Sequence, residues 1–233
     1  MNKTIAKILS ILCLVIFFAG LFLFGLFSRY PQKFKEQIKT ASAKYNLDSA
    51  LVASVINTES AFDLNAKSKK GAIGLMQILP STASWICQYS DIDYQNEQDL
   101  FDPQKNILIG CRYLQYLFEK FEDQTCALCA YNAGEGVVKN WLSNKEYSSD
   151  FKTLKSIPYA ETKNYIQKIS NNLKVYKVLY WKTKNTGYNL LHFFYLLSVH
   201  SDYIKVFPTT QLVNLPPLPL AHLCGQKNKG ARN

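Results

Sequence analysis

Histidine is missing from most of this sequence. The chain has three, His192, His200 and His222, and all of them lie in its last part. The residues before them therefore exclude the His-dependent nucleophilic triads and the HExxH-type zinc sites that many hydrolases use. If that region is an enzyme, a carboxylate is its natural proton carrier.

Two further absences narrow the class of protein. The sequence has no alternating apolar and polar pattern of useful strand length, whereas apolar residues recur at helical spacing. The net charge of +10 is not gathered into one basic patch, and no nucleic-acid-binding motif occurs. The pattern predicts an all-α protein without a nucleic-acid partner. A diffuse positive charge suits an anionic polymer or a membrane surface.

The cysteines lack the spacing of a metal site. Cys126 and Cys129 form "CALC", but there is no second CxxC pair and no histidine nearby. We therefore interpret them as small residues facing a helical core rather than as a redox or zinc pair. A disulfide among these two, Cys87 and Cys111 stays open, because sequence alone cannot pair them.

Residues 8–27 form a long run without a single charge. As a helix, this run would match a hydrocarbon core of about 30 Å. The run exceeds the roughly 7–15 apolar residues of a signal peptide, and no A-x-A-like cleavage site follows it. The sequence predicts an uncleaved transmembrane signal-anchor in residues 1–30, with secretion after cleavage as the alternative. Basic residues flank the run on both sides, so they do not orient it.

Residues 31–187 have the pattern of one helical domain. Asp48, Asp102 and Asp123 each precede a segment with helical periodicity, as N-cap residues do. Gly134 is suited to end the helix that contains "CALCAYNA". Further helix starts are predicted near Pro31, Pro80 and Pro158. Residues 188–233 form a C-terminal tail to which the sequence assigns no role.

Glu59 is the carboxylate best placed for proton transfer. It follows Val52, Val55 and Ile56 at spacings of seven, four and three, so all four share one helical face. Packing against that apolar face should raise the pKa of the carboxyl and keep it protonated near neutral pH. The alternative is a structural glutamate that caps the helix or pairs with a lysine.

Several sequence blocks follow one another from Glu59 onward. "ES" at 59–60 is followed by "GAIGLMQILP" at 71–80, "FDPQKNILIGCRYL" at 101–114, "AYNAG" at 130–134 and "IPYAETKNYI" at 157–166. In this order and spacing they resemble the lysozyme-like domain of the soluble-type lytic murein transglycosylases. The resemblance runs from residue 31 to about residue 182. It implies a fold shared with goose-type lysozyme, here behind one N-terminal transmembrane helix.

The resemblance also implies roles for individual residues. Glu59 matches the single catalytic acid/base of the family. Ser68 and Gln77 match positions that contact the substrate near it, and Met76 matches a residue that lines the sugar groove. Other matches are Tyr131 at the catalytic centre, its neighbour Asn132, and the cleft tyrosine Tyr165.

The implied reaction cleaves the β-1,4 bond between N-acetylmuramic acid and N-acetylglucosamine in peptidoglycan and leaves 1,6-anhydromuramic acid ends. A two-carboxylate glycosidase needs a second carboxylate across the sugar, and Asp63, only four residues after Glu59, at best neighbours it on the same side. We expect no metal or cofactor, and a catalytic domain on the cell-wall side of the membrane. Two alternatives stay open: a goose-type lysozyme-like hydrolase and a non-catalytic peptidoglycan-binding membrane protein.

Overall fold

The computed structural model of the chain describes residues 3–181. In that range, eight α-helices and one 3-10 helix follow one another, and the strand-like pairing consists of isolated bridges at Lys67–Ile73 and Ile73–Ile78. The helices are α1 (Lys3–Arg29), α2 (Lys35–Lys44), α3 (Ser49–Ser60), α4 (Pro80–Gln88), the 3-10 helix (Glu97–Phe101), α5 (Pro103–Lys120), α6 (Gln124–Ala133), α7 (Glu135–Ser143) and α8 (Ala160–Trp181). The all-α prediction is confirmed for this part. The predicted tail at 188–233 lies outside it.

Three aspartates begin helices as predicted. The side chain of Asp48 accepts a hydrogen bond from the amide of Ala50, that of Asp102 from Lys105, and that of Asp123 from Cys126, at 2.7–2.8 Å. Each bond satisfies an amide that has no partner within its own helix. Gly134 ends α6 with a φ of +97°. The 3-10 helix was not predicted, and α8 begins two residues after Pro158.

Helix α3 lies at the centre of the domain. Its residues from Ala50 to Ile56 are all buried, because α2 covers one side and α8 packs along another. A helix enclosed on several sides needs apolar residues around most of its circumference. The polar residues come at its last turn, where Asn172 of α8 donates to Thr58 at 3.0 Å. Because α3 runs from the core toward the surface, its last turn places Glu59 at the boundary between the two.

A folded loop joins α3 to α4. Ile73 and Ile78 exchange two backbone hydrogen bonds of 3.0 Å, and Gly74 and Gln77 close the turn between them with φ angles of +76° and +48°. At Gly74 a Cβ atom would collide with the Asn106 side chain and the Leu100 carbonyl. Only glycine fits this combination of left-handed backbone and close contact. We call residues 71–79 the Gly-rich loop.

The N-terminal helix α1 exposes large apolar side chains. Ile11, Phe18 and Phe24 are 62–72% exposed. By length and mean hydropathy, none of the helices within residues 3–181 qualifies as a membrane span.

The cysteines of the described region carry free thiols, at positions Cys13, Cys87, Cys111, Cys126 and Cys129. Cys126 and Cys129 are fully buried against α5 and α7, which confirms that they face a core. Burial raises the pKa of the Cys129 thiol to about 12, and a thiol that stays protonated is a poor nucleophile and a poor metal ligand.

Candidate active site

Glu59 projects from the last turn of α3 toward α8. Tyr165 of α8, which is only 6% exposed, donates its hydroxyl to Glu59 Oε1 at 2.8 Å. Glu59 itself is half-buried, so protein atoms surround the carboxyl while part of the residue stays accessible. One predicted site residue therefore orients another, although they are far apart in sequence.

The surroundings of Glu59 favour its neutral form. Burial raises the pKa of the carboxyl from 4.5 to about 7, and the hydrogen bond from Tyr165 opposes this rise in part. Removal from water penalises the charged form, whereas a donor to a carboxylate stabilises it, so the two effects have opposite signs. A carboxyl with such a pKa is partly protonated at neutral pH and can both give and take a proton.

Tyr131 of α6 also lies beside Glu59. Its hydroxyl donates to the backbone carbonyl of Met76 at 2.8 Å and so attaches α6 to the Gly-rich loop. Burial and the neighbouring Glu59 carboxylate hold the pKa of Tyr131 well above its usual value, and the same two causes act on Tyr165. Both tyrosines are therefore protonated hydrogen-bond donors around one carboxyl.

The Gly-rich loop is held against these helices by polar side chains. Ser60 donates to the Leu75 carbonyl at 2.8 Å, next to Glu59 in sequence. Asn106 of α5 is fully buried, and its side chain accepts from the Met76 amide at 2.8 Å and donates to the carbonyls of Ile73 and Leu100. Each buried donor and acceptor of this amide thus has a partner.

Gln77 and Ser68 brace the same segment. The Gln77 amide nitrogen donates to the carbonyls of Ala66 and Gly74, at 3.1 and 2.9 Å. Ser68 is exposed, and its hydroxyl accepts from the Ala72 amide at 3.0 Å. These contacts shape the loop; that both residues contact substrate stays a prediction.

The Met76 side chain turns into the core. It is fully buried and packs against Gly110 of α5, where an added Cβ would collide with the Met76 sulfur. The backbone carbonyl of Met76 holds Tyr131, and contact of Met76 with a sugar stays a prediction. In this segment the exposed large apolar residue is Leu79, at 39%. The hairpin at residues 73–78 turns Met76 inward and leaves Leu79 at the surface.

Asn132 follows Tyr131 and points to the start of α8. Its Oδ1 accepts a hydrogen bond of 2.8 Å from the buried hydroxyl of Thr162. This bond ties the "AYNAG" block to the "IPYAET" block and helps to place Tyr165 one turn further along α8.

Sequence reasoning missed three polar residues that build the site, Ser60, Asn106 and Thr162. Asn106 carried a signal that could have been used, because an amide directly before the apolar run at 107–109 has to find partners once it is buried. Ser60 and Thr162 lie in blocks quoted for the resemblance, but nothing in the sequence distinguished a hydroxyl that bonds within the fold from one that faces water. Within residues 3–181 no group of three or more His, Cys, Asp or Glu side chains is arranged to hold a metal ion.

Comparisons with known proteins agree on one family. A family model described as the transglycosylase SLT domain matches residues 36–154. The soluble lytic murein transglycosylase of Escherichia coli is 34% identical over 144 residues, which cover 60% of this chain and 22% of that protein. The membrane-bound lytic murein transglycosylase C of Histophilus somni is 29% identical over 170 residues, covering 64% and 47%.

A solved structure shows the same similarity. The 70 kDa soluble lytic transglycosylase of E. coli superposes with a TM-score of 0.60 at 32% identity, over 70% of this chain and 27% of that one. The chain thus spans less than half the length of these relatives.

Proposed function

The chain belongs to the transglycosylase SLT domain family, and we propose from this premise that it is a lytic transglycosylase acting on peptidoglycan. The observation that carries the proposal is the single carboxyl of Glu59, with a pKa of about 7 and a hydrogen bond from Tyr165. The related proteins named above are lytic murein transglycosylases. The bond we assign as the target is the β-1,4 linkage between N-acetylmuramic acid and N-acetylglucosamine.

Glu59 acts first as the general acid. In its neutral form it donates a proton to the bridging oxygen while the bond from that oxygen to C1 of the muramic residue breaks. The N-acetylglucosamine unit leaves with a free 4-hydroxyl. The carbonyl oxygen of the substrate's own N-acetyl group then bonds to C1 and carries the positive charge that develops there.

Glu59 acts next as the general base. Its carboxylate takes the proton of the muramic C6 hydroxyl, the C6 oxygen attacks C1, and the bond from C1 to the N-acetyl oxygen breaks. The product is a 1,6-anhydro ring, and Glu59 ends protonated as it began. No water is consumed, because the attacking hydroxyl belongs to the substrate.

The charges around Glu59 favour this route over hydrolysis. An inverting or retaining hydrolase of the two-carboxylate type places a second carboxylate across the sugar. Within residues 3–181 no other carboxylate contributes to the pKa of Glu59. Asp63 is exposed and accepts from the Asn65 amide in a turn. Glu135, the acidic residue near Tyr113 and Tyr116, is occupied by two lysines.

We assign substrate contacts to the residues that surround the carboxyl. Tyr131 and Tyr165 offer hydroxyl groups, Gln77 offers its side-chain oxygen, and Met76 and the exposed Leu79 offer apolar contact. Ser68 and Asn132 are the remaining residues to which we assign substrate contacts. Aromatic and apolar side chains with a few fixed polar groups are typical of sites for small organic ligands.

We also propose that residues 8–27 anchor the protein in the cell membrane, with the domain on the cell-wall side. The charge-free run and the exposed apolar side chains of α1 support the anchor, and the peptidoglycan substrate supports the orientation. Secretion after cleavage of this segment is the alternative, and membrane fractionation distinguishes the two.

The reaction product decides between the lyase and the hydrolase. We expect purified protein to release muropeptides that end in 1,6-anhydromuramic acid, which are lighter by one water than hydrolysis products and resist borohydride reduction. Mass spectrometry before and after reduction measures both properties. Glu59→Gln is the control and should lower the rate by roughly two to four orders of magnitude. Reducing ends in the wild-type digest would instead identify a lysozyme-like hydrolase. The absence of any cleavage would identify a binding protein.

A further inference from the structure

A continuous group of aromatic rings leads away from the proposed catalytic centre. The Tyr131 ring lies 5.3 Å from that of Tyr113, and Tyr113 lies 6.4 Å from Trp85 and 6.5 Å from Tyr116, all as centroid distances. The Trp85 ring stands edge-on to Tyr116 at 4.8 Å and reaches Tyr89 at 6.5 Å. We call these five residues the aromatic row.

The end of the row that lies away from Tyr131 is the exposed end. Tyr131, Tyr113 and Tyr116 are half-buried, whereas Trp85 is 37% and Tyr89 70% exposed. Trp85 and Tyr89 are four residues apart, so they share a face of the α4 segment, while Ala83 and Ile86 turn toward the core. The two tyrosines of α5 hold the Trp85 ring in place, and the fold gains little from the exposed Tyr89 ring.

Positive charge flanks the half-buried part of the row. Lys120 donates to the Tyr116 hydroxyl at 2.7 Å and lies 5.1 Å from the centre of that ring. Lys120 and Lys139 both pair with Glu135, at 2.8 and 2.6 Å, so two ammonium groups share one carboxylate. Burial opposes ionisation of this carboxyl, but the two lysines and Tyr116 outweigh it and hold the pKa of Glu135 at about 2.

We propose that the exposed end of the aromatic row, formed by Trp85 and Tyr89, binds a sugar ring of the glycan strand outside the catalytic centre. This inference rests on the proposed function and extends the same site along α4. The C–H face of a pyranose is apolar and slightly positive, so it complements the electron-rich face of an aromatic ring. The net positive charge of Lys120, Lys139 and Glu135 lies beside Tyr116, further along the same row, and suits a polymer whose peptide substituents carry carboxylates.

The test measures binding separately from cleavage. Full-length Glu59→Gln protein in mild detergent is titrated by calorimetry with soluble peptidoglycan glycan strands, alone and combined with Tyr89→Ala or Trp85→Leu. Each of these second substitutions should weaken binding roughly three- to tenfold, the range for loss of one aromatic contact. Tyr89→Phe, which keeps the ring, should bind as tightly as its parent. Phe151→Ala is the matched control, because Phe151 is 56% exposed and lies outside the row.

Tyr89→Ala is the decisive variant, because truncating so exposed a side chain leaves the core intact. If it binds the strands as tightly as Phe151→Ala does, the inference is overturned, whatever Trp85→Leu shows. With Glu59 restored, Tyr89→Ala should raise KM and leave kcat and the pH profile unchanged. Should the wild-type protein bind strands through Tyr89 but never cleave them, the proposed function fails and this inference stands.

Discussion

Replacing Glu59 with glutamine should stabilise the protein at high pH and leave its stability unchanged at low pH. Glutamine has nearly the shape of a protonated glutamate and can still accept the hydrogen bond from Tyr165, but it never becomes charged. The wild-type fold must accommodate a carboxylate in a half-buried position once Glu59 ionises. The substitution removes that cost together with the catalytic group.

The size of the effect follows from the pKa of Glu59. Burial moves this pKa from 4.5 to about 7 in the folded state. Each factor of ten in a protonation equilibrium is worth about 1.4 kcal/mol, so ionisation of the folded protein costs about 3 kcal/mol of unfolding free energy. The folded state binds the proton more tightly than the unfolded chain does. The wild type therefore loses this stability as the pH rises from 4.5 to 7, and the full loss is present above 7.

Urea unfolding of the full chain in mild detergent, followed by tryptophan fluorescence, measures the difference. At about pH 8.5 Glu59→Gln should exceed the wild type by up to about 3 kcal/mol, and at about pH 4 the two should agree. Glu119→Gln is the matched control on an exposed part of α5 and should change stability little at either pH. A destabilised Glu59→Gln at pH 8.5 would identify Glu59 as an ionised structural residue and refute the reasoning.

Two further predictions concern Tyr165 and the N-terminal segment. Tyr165→Phe removes the hydrogen bond that lowers the pKa of Glu59, so this pKa should rise and activity should persist to higher pH than in the wild type. The pH dependence of kcat on peptidoglycan measures this change, and an unchanged alkaline limb would mean that Glu59 does not control the loss of activity at high pH. Membrane fractionation should leave the full-length protein in the pellet at high salt, because residues 8–27 hold it by apolar contact rather than by charge. The domain should be accessible to protease from outside the cell membrane. A shortened form in solution would show that the segment is a cleaved signal.

The sequence by itself determined the elements whose causes are local. Asp48, Asp102 and Asp123 begin helices because a capping side chain reaches an amide only two or three residues away. The spacing of Val52, Val55 and Ile56 likewise placed Glu59 on a buried face. That face predicts a raised pKa for the carboxyl, and burial is the larger cause of the value of about 7.

Only the tertiary structure decided which residues surround that carboxyl. Tyr165 lies 106 positions from Glu59, and no pattern in the sequence relates the two until α8 packs along α3. The same holds for the Gly-rich loop. Met76 turns inward because its amide bonds to Asn106 and its side chain packs against Gly110, and both of these residues come from α5. Leu79 is left at the surface. Helix periodicity fixes a side chain relative to its neighbours within a turn or two. The direction of a loop residue depends instead on contacts that form only when the whole core is assembled.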